Sequence, residues 1–214
     1  YELKPYELPV KEIQQLKALM SLREGYVKIM VQLKNSFKAF EIIATSIPLK
    51  KQLKQHQKLI TEHEKAIANL EQQMKEIIET NEDLVSSYRQ ITSVIGVGPL
   101  TGIKCIIETE NFTRFNNARK FACHCGLAPF EYQSGSSIRK RTRTSPIRDK
   151  SLKSILFKAA SSAIQHDPQL KSYYKRKTES GKHKLSVLNA IANKIVLRIF
   201  AVAKRTEPFV KLTA

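Results

Sequence analysis

Between Val10 and about Thr45, Leu16, Leu19, Arg23, Tyr26, Met30, Leu33, Phe37, Phe40 and Ala44 recur at alternating spacings of three and four residues. An α-helix turns once every 3.6 residues, so this spacing predicts one long helix with a single mostly apolar stripe. Pro48 follows a short Thr-Ser-Ile link and ends it. A heptad pattern then runs from Leu49 to Gln90. Leu49, His56, His63, Leu70, Ile77 and Leu84 fall at one seam position; Leu53, Ile60, Ile67, Met74, Asn81 and Tyr88 fall at the other. This predicts a continuous coiled-coil helix, with Asn81 trading stability for register. Two such helices can pair antiparallel within the chain, or the second can pair with another copy; the heptads admit both.

The pattern changes at Ile91 to Ile107, ITSVIGVGPLTGIKCII. Two apolar segments flank Gly96-Val97-Gly98-Pro99. Glycine tolerates positive φ, and Pro99 suits the first turn of a helix, where its missing N–H costs nothing. The expected arrangement is helix, tight turn, helix, resembling a helix-hairpin-helix. The turn amides and the second helix start would then present unpaired donors to an anion such as DNA phosphate. Gly96, Gly98 and Thr101 are the candidate contacts, and an ordinary Gly-Pro turn between packed helices is the competing account.

Beyond the turn, Glu108 to Phe115 reads as a polar connection. Asn116 is placed to cap a short helix through Cys125, and Gly126 to stop it. Pro129, Gly135 and Pro146 break Leu127 to Arg148 into loop with room for a short hairpin. Helices resume over about Lys150–His166, Pro168–Thr178 and His183–Lys204; the last has Leu185, Leu188, Ala192, Ile195, Ile199 and Val202 as its apolar face. Tyr173 and Tyr174 beside Lys175, Arg176 and Lys177 are either base-stacking groups or half-buried core residues.

Charge adds a direction. The 214 residues carry 37 Lys and Arg against 19 Asp and Glu, a formal net charge of +18. From Leu49 to Gln90 the count is seven basic and seven acidic side chains; from Ser134 to Lys184 it is fourteen and three. A concentrated basic excess points to a polyanion, most often nucleic acid. The opening residues, with Pro5 and Pro9, lack the apolar core of a signal peptide, and no apolar run reaches the length of a membrane span. Three cysteines, Cys105, Cys123 and Cys125, fit reduced thiols and a cytoplasmic setting. Cys123 and Cys125 are closer than structural zinc spacing, and neither they nor His56 and His63 have a companion ligand cluster, so no metal site is expected.

The Leu127–Arg148 stretch is where chemistry could sit. Ser134, Ser136, Ser137 and Ser145 lie near Arg139, Lys140, Arg141, Arg143 and Arg148. A hydroxyl next to glycine and flanked by arginines suits attack on a phosphodiester, because arginines hold phosphate and stabilise transition-state charge. Phosphate binding without catalysis explains the same composition.

Taken together, Ile95-Gly96-Val97-Gly98-Pro99-Leu100-Thr101, Arg114-Phe115, Gly126-Leu127-Ala128-Pro129, Gln133-Ser134-Gly135, the Arg/Lys run, Tyr173-Tyr174, Gly181 and the final long helix form an ordered set. The order resembles the C-terminal transposase domain of the insertion-sequence one-ten family, which is related to pilin-gene invertases; residues 91–208 carry the specific part. The resemblance implies DNA recombination by a serine nucleophile, matching Ser134, directed by a structured bridge RNA. It also implies a partnering RNase-H-like domain whose four acidic residues bind Mg²⁺ and complete a composite site. That domain is absent here, so no cofactor is expected in this chain. The segment Thr144 to Lys150 also lacks the family's usual glycine.

The expected fold is therefore all-α: a coiled-coil arm over residues 1–90 and, over 91–214, a compact helical transposase domain with a helix-hairpin-helix and a serine loop. The expected function is that of a DNA transposase or serine recombinase fragment. Ser134 is the nucleophile, and Gly96, Gly98, Thr101, Arg139, Lys140, Arg141, Arg143 and Arg148 contact DNA or RNA. The expected partners are DNA, guide RNA and further copies of the chain through the coiled coil, with no membrane. A non-catalytic nucleic-acid-binding protein in repair or DNA architecture is the alternative.

Overall fold

A computed structural model describes residues 8–115, 117–128, 130–134, 138–144, 146–205 and 207–210; for 130–134 and 138–143 the description is of the backbone. The chain divides into two compact units, Tyr1–Asn81 and Glu82–Ala214.

The first unit is a helical hairpin of α1 (Lys11–Ile43) and α2 (Lys50–Glu79). The helices run antiparallel: Arg23 pairs with Glu71 at 2.7 Å, and Lys34 with Glu64 at 2.7 Å. His56 Nε2 lies 2.9 Å from the carbonyl oxygen of Leu33, which accepts its hydrogen bond. The predicted stripes meet within one chain through Arg23, Tyr26, Leu33 and Phe37. Leu16 is the one member of the α1 stripe that is fully buried; Ile13 and Met20 join it from outside the stripe, and Phe40 is exposed. Ile13, Leu16 and Met20 on α1 and Ile60, Ile67, Leu70, Met74 and Ile78 on α2 are buried. Each such side chain contributes about 1.5–3 kcal/mol as an upper figure. Exposed ion pairs contribute about 0–1 kcal/mol, so the apolar seam holds the hairpin. Burial passes from Met74 to Ile78, leaving Ile77 half exposed. A straight helix drifts about 20° per heptad against a strict seven-residue repeat. His56 and His63 are the polar part of the seam, edge-on to Phe37 and Tyr26 at 5.8 and 5.9 Å.

The heptad helix is not continuous to Gln90. It stops at Glu79, and α3 (Glu82–Thr92) begins anew in the second unit. The Thr80 hydroxyl donates to the Ile77 carbonyl at 2.7 Å. Glu82 and Asp83 supply the negative charge that favours a fresh helix start. Asn81 therefore sits at the break and not on a seam.

The second unit is helical, as the all-α expectation has it, with one short two-stranded ribbon in the Leu127–Arg148 stretch where the sequence left room for a short hairpin. After α3 come α4 (Pro99–Thr109) and α5 (Ala118–His124), then antiparallel β1 (Phe130–Ser134) and β2 (Ile138–Arg143). Next are α6 (Lys150–His166), α7 (Pro168–Glu179) and α8 (Lys184–Arg205). Ser134 pairs with Ile138, Gln133 with Arg139, Tyr132 with Lys140 and Phe130 with Arg143, with a register shift between Phe130 and Tyr132.

Helix α8 is the spine. Val187, Ile191, Ala192, Ile195, Val196, Ile199, Phe200 and Val202 are buried against α3, α5, α6 and α7. The expected face held from Ala192 onward but not at its start, where Leu185 is exposed and Val187 takes the core position. By length and composition α8 could cross a membrane; its apolar character here is that of a core helix. An aromatic cluster closes the α5 side, Phe121 to Phe200 at 5.4 Å and Phe112 to Phe200 at 5.0 Å. Phe112 reaches the cluster from a turn in which Glu110, Asn111 and Phe112 all have positive φ. That conformation is uncommon for non-glycine residues, and no local sequence signal announces it.

Candidate functional site

The α3–α4 turn is built on contact with α6. Gly96 has φ +91, and a Cβ there would lie 2.5 Å from the Ala159 carbonyl oxygen and 2.7 Å from the Ala163 methyl. The turn is drawn in by Val94 and Val97, both buried, and closed by a 2.9 Å bond from the Val97 amide to the Val94 carbonyl. Gly98 is the cap of α4 with φ −85 and nothing within 4 Å of a Cβ position. Pro99 is the first helical residue, as its ring requires. Gly102 is the close-approach point of the two helices, where a Cβ would sit 3.0 Å from the Thr92 methyl. Of the three candidate contacts in this turn, Gly98 is exposed, Gly96 is partly covered and Thr101 is buried.

Both ends of the β1–β2 ribbon are clamped. Helix α5 is capped by Asn117, whose side chain accepts from the Lys120 amide at 2.9 Å. The cap lies one residue beyond the expected Asn116, which is outside the described residues. Helix α5 ends at His124, and Gly126 turns the chain away at φ +68, where the Arg148 side chain occupies the place a Cβ would take. The Gly126 carbonyl accepts from Lys153 Nζ at 2.8 Å, and the Leu127 carbonyl from Asn189 Nδ2 at 2.8 Å. Past the ribbon, the Asp149 amide donates to the His124 carbonyl at 3.0 Å, while the Asp149 carboxylate caps α6 at the Leu152 amide, 2.9 Å. Sequence reasoning missed Lys153, Asn189 and Asp149; an acid immediately before an apolar helix was the one legible signal.

Ser134 is the last residue of β1, and Arg139, Lys140, Arg141 and Arg143 all lie on β2. Ser136, Ser137 and Ser145 lie outside the described residues. Backbone pairing sets Ser134 and Arg139 within one residue of each other across the ribbon. Arg148 lies beyond β2, half-buried over Gly126.

Below the clamp, Glu108, His124 and Asp149 bring ligand atoms within 4.8 Å of one another. Glu108 lies 3.4 Å from His124 and 3.5 Å from Lys104. The hydrogen bond from His124, with the nearby Lys104 charge, holds the Glu108 carboxyl below its ordinary value against the opposing effect of burial. Glu108 is paired with Lys104 and hydrogen-bonded to His124, and Asp149 serves as a helix cap, so the half-buried cluster works as a polar joint between α4, α5 and α6. Burial, with Glu108 nearby, pushes the Cys105 thiol up to about 12. The Cys125 thiol is also raised, by burial and by Cys105, Asp149 and Glu108. Both thiols are neutral and inert at pH 7.

Residues 88–175 match the family described as Transposase IS116/IS110/IS902. The chain is 28% identical over 147 residues to the pilin gene-inverting proteins of Moraxella bovis and Moraxella lacunata, covering 68% of this chain and 46% of each of theirs. It is 29% identical over 114 residues to an insertion element IS110 protein of 43.6 kDa from Streptomyces coelicolor, covering 53% of this chain and 28% of that protein. The aligned region thus spans less than half of each relative. The match begins in α3 and ends in α7, taking in the α3–α4 turn, the ribbon and the clamp apart from Asn189. At the family level, and at low identity, the chain is similar to the IS110 and pilin-inverting transposases.

Proposed function

We propose that the chain is the serine-bearing part of a DNA transposase, and that Ser134 attacks a DNA phosphate during strand exchange. The observation that carries this reading is the family match across α3 to α7, with Gln133 and Ser134 ending a strand whose partner holds Arg139, Lys140, Arg141 and Arg143. In the reaction the serine oxygen forms a bond to phosphorus and a phosphorus–sugar oxygen bond breaks. The serine proton goes to a base, and the leaving oxygen takes one up. Arginines stabilise the added charge but accept no proton at neutral pH. A serine hydroxyl needs activation, which in this reading a family-type acidic domain with its metal would supply. Mg²⁺ there would neutralise charge on the phosphate oxygens.

The α3–α4 turn supports a helix-hairpin-helix role. The first amides of any helix lack intrahelical partners, and the exposed Gly98–Pro99 start of α4 suits a phosphate. A structured RNA guide, self-association through the helical arm and a cytoplasmic setting complete the proposal. The test is a phosphoserine adduct formed when the chain is combined with a family-type acidic domain, guide RNA, DNA and Mg²⁺. Ser134→Ala should abolish the adduct with DNA affinity nearly intact. A wild-type chain that binds DNA but forms no adduct under these conditions favours the binding-protein alternative.

A further inference from the structure

Glu108, His124 and Asp149 meet from three separate elements: the last turn of α4, the last residue of α5 and the cap of α6. One ligand atom from each lies within 4.8 Å of the others. Glu108 Oε2 and His124 Nε2 are 3.4 Å apart. That is long for a hydrogen bond, where N···O centres near about 2.9–3.0 Å. It is the spacing of two ligands on one tetrahedral ion: bonds of about 2.0–2.1 Å to Zn²⁺ set ligand atoms about 3.3–3.4 Å apart.

The surroundings hold these side chains as a metal site requires. Metal-bound carboxylates and imidazoles are oriented by an outer layer of partners. Lys104 Nζ lies 3.5 Å from Glu108 Oε1, the carboxylate oxygen that does not face His124. The Leu152 amide donates to Asp149 Oδ1 at 2.9 Å and fixes that carboxylate. The rings of Phe115 and Phe121 lie 5.4 and 6.3 Å from the His124 imidazole. The Asp149 amide donates to the His124 carbonyl at 3.0 Å, tying the two ligands together through the backbone. The His124 side chain is 25% exposed, which gives an ion an entry path. Sulfur points to the kind of ion. Cys125 is fully buried and senses the charges of Asp149 and Glu108; Cys105, also buried, senses Glu108. An imidazole with thiols close by suits a borderline-soft ion, whereas Mg²⁺ prefers oxygen and keeps its waters.

We propose that Glu108, His124 and Asp149 bind Zn²⁺, with water as the fourth ligand, and that the ion staples both ends of the β1–β2 ribbon to α4. His124 precedes β1 and Asp149 follows β2, so one ion closes the ribbon's root. Ligands drawn from three elements form no sequence motif, and the Cys123-His124-Cys125 spacing does not announce them. This Zn²⁺ is distinct from the Mg²⁺ of strand exchange and needs neither DNA nor an acidic domain.

The test uses the full chain in a Cys123→Ser background, which removes the partly exposed thiol beside His124. Metal-stripped protein is titrated with Zn²⁺ against a chromogenic chelator, and melting is followed with and without Zn²⁺. One ion per chain should bind, and the melting midpoint should rise with Zn²⁺ concentration, because an ion held by the folded chain alone stabilises it. Asp149→Asn retains a capping side chain, and Glu108→Gln retains the shape. Each should still melt cooperatively but bind Zn²⁺ at least about ten-fold more weakly, since outer-layer partners alone are worth about 10–100-fold. Unchanged affinity in both variants, or no binding by the parent, overturns the site. Loss of binding in Cys125→Ser with Asp149→Asn unchanged would put the ion on the thiols and overturn this ligand set. Co²⁺ supplies a second measure: it should give the intense visible absorption of a four-coordinate ion. A pale six-coordinate spectrum, or displacement of Zn²⁺ by millimolar Mg²⁺, would sink the zinc assignment.

Discussion

Gly96 sits against the carbonyl oxygen of Ala159, closely enough that a Cβ would lie 2.5 Å from it. The α3–α4 turn is therefore fixed by its packing on α6 as well as by its own backbone. Gly96→Ala meets two costs together. Positive φ in a non-glycine residue costs about 1–3 kcal/mol, and the clash is with main chain that cannot swing aside. Thermal melting should show Gly96→Ala destabilised by at least about 2 kcal/mol. Gly98→Ala, at φ −85 with open space, should change stability by less than about 1 kcal/mol.

Glu108 gives the second unit an acid-side weakness. Its carboxyl is held below the ordinary value, chiefly by the hydrogen bond from His124. A depressed folded-state value means that the unfolded chain takes up the proton first as pH falls. The contribution is full above the unfolded carboxylate value of about 4.3 and disappears as pH drops through the lower folded value. Urea unfolding between pH 6 and 3 should show a shallower acid-side loss in Glu108→Gln than in wild type. Equal slopes would mean that the joint does not contribute.

Much of this architecture was legible because it follows from periodicity and punctuation. Pro48, Pro99, the Asp167-Pro168 pair and Gly126 all mark real boundaries, and the α1 and α2 stripes meet as their spacing requires. The break at Asn81 was hidden because the heptad runs straight through it, and side-chain polarity alone does not distinguish a seam asparagine from one between helices. The clamp around the ribbon was illegible for a different reason. Lys153 and Asn189 reach backbone carbonyls 27 and 62 residues away, and a carbonyl leaves no mark in the sequence. The charge of strand β2 was plain from composition, but its pairing with β1 needed the register.

The arm presents a second repeat outside its internal seam. Leu22, Ile29 and Ile43 share one heptad position and are 46%, 42% and 43% exposed. Seam residues such as Ile67 and Leu70 are buried within the hairpin, so charge there would unfold the arm and could not test association alone. Leu22→Glu/Ile29→Glu/Ile43→Glu should leave helix content intact and shift sedimentation toward monomer. A wild-type chain that is already monomeric at high micromolar concentration would rule out self-association through this stripe.

The three thiols should separate by reactivity. Cys105 and Cys125 are fully buried with raised values, whereas Cys123 is partly exposed. Titration of the native protein with an aromatic disulfide should label Cys123 alone within minutes, and all three in denaturant. Rapid labelling of Cys125 in native Cys123→Ser would contradict the packing around the α4–α5–α6 joint.

The final prediction concerns how firmly Ser134 is held. The Gly126 and Leu127 carbonyls immediately precede the ribbon, and each accepts from one long-range side chain, Lys153 from α6 and Asn189 from α8. Burial, with Arg148 nearby, lowers the Lys153 value from its ordinary range. Leu127 is buried, so losing its partner should cost the protein about 1–3 kcal/mol in Asn189→Ala. Lys153→Met keeps the stem and removes the charge, and should cost about 1–2 kcal/mol. Either change should raise amide exchange along β1 and β2 more than in α1 and α2, because it frees the ribbon root and the arm is a compact unit of its own. In the adduct assay, both variants should slow formation of the phosphoserine bond while leaving DNA affinity near wild type, since reaction depends on orientation far more steeply than binding does. Adduct formation at the wild-type rate in the Lys153→Met/Asn189→Ala double variant, with ribbon exchange clearly accelerated, would show that the clamp stabilises the fold without orienting Ser134.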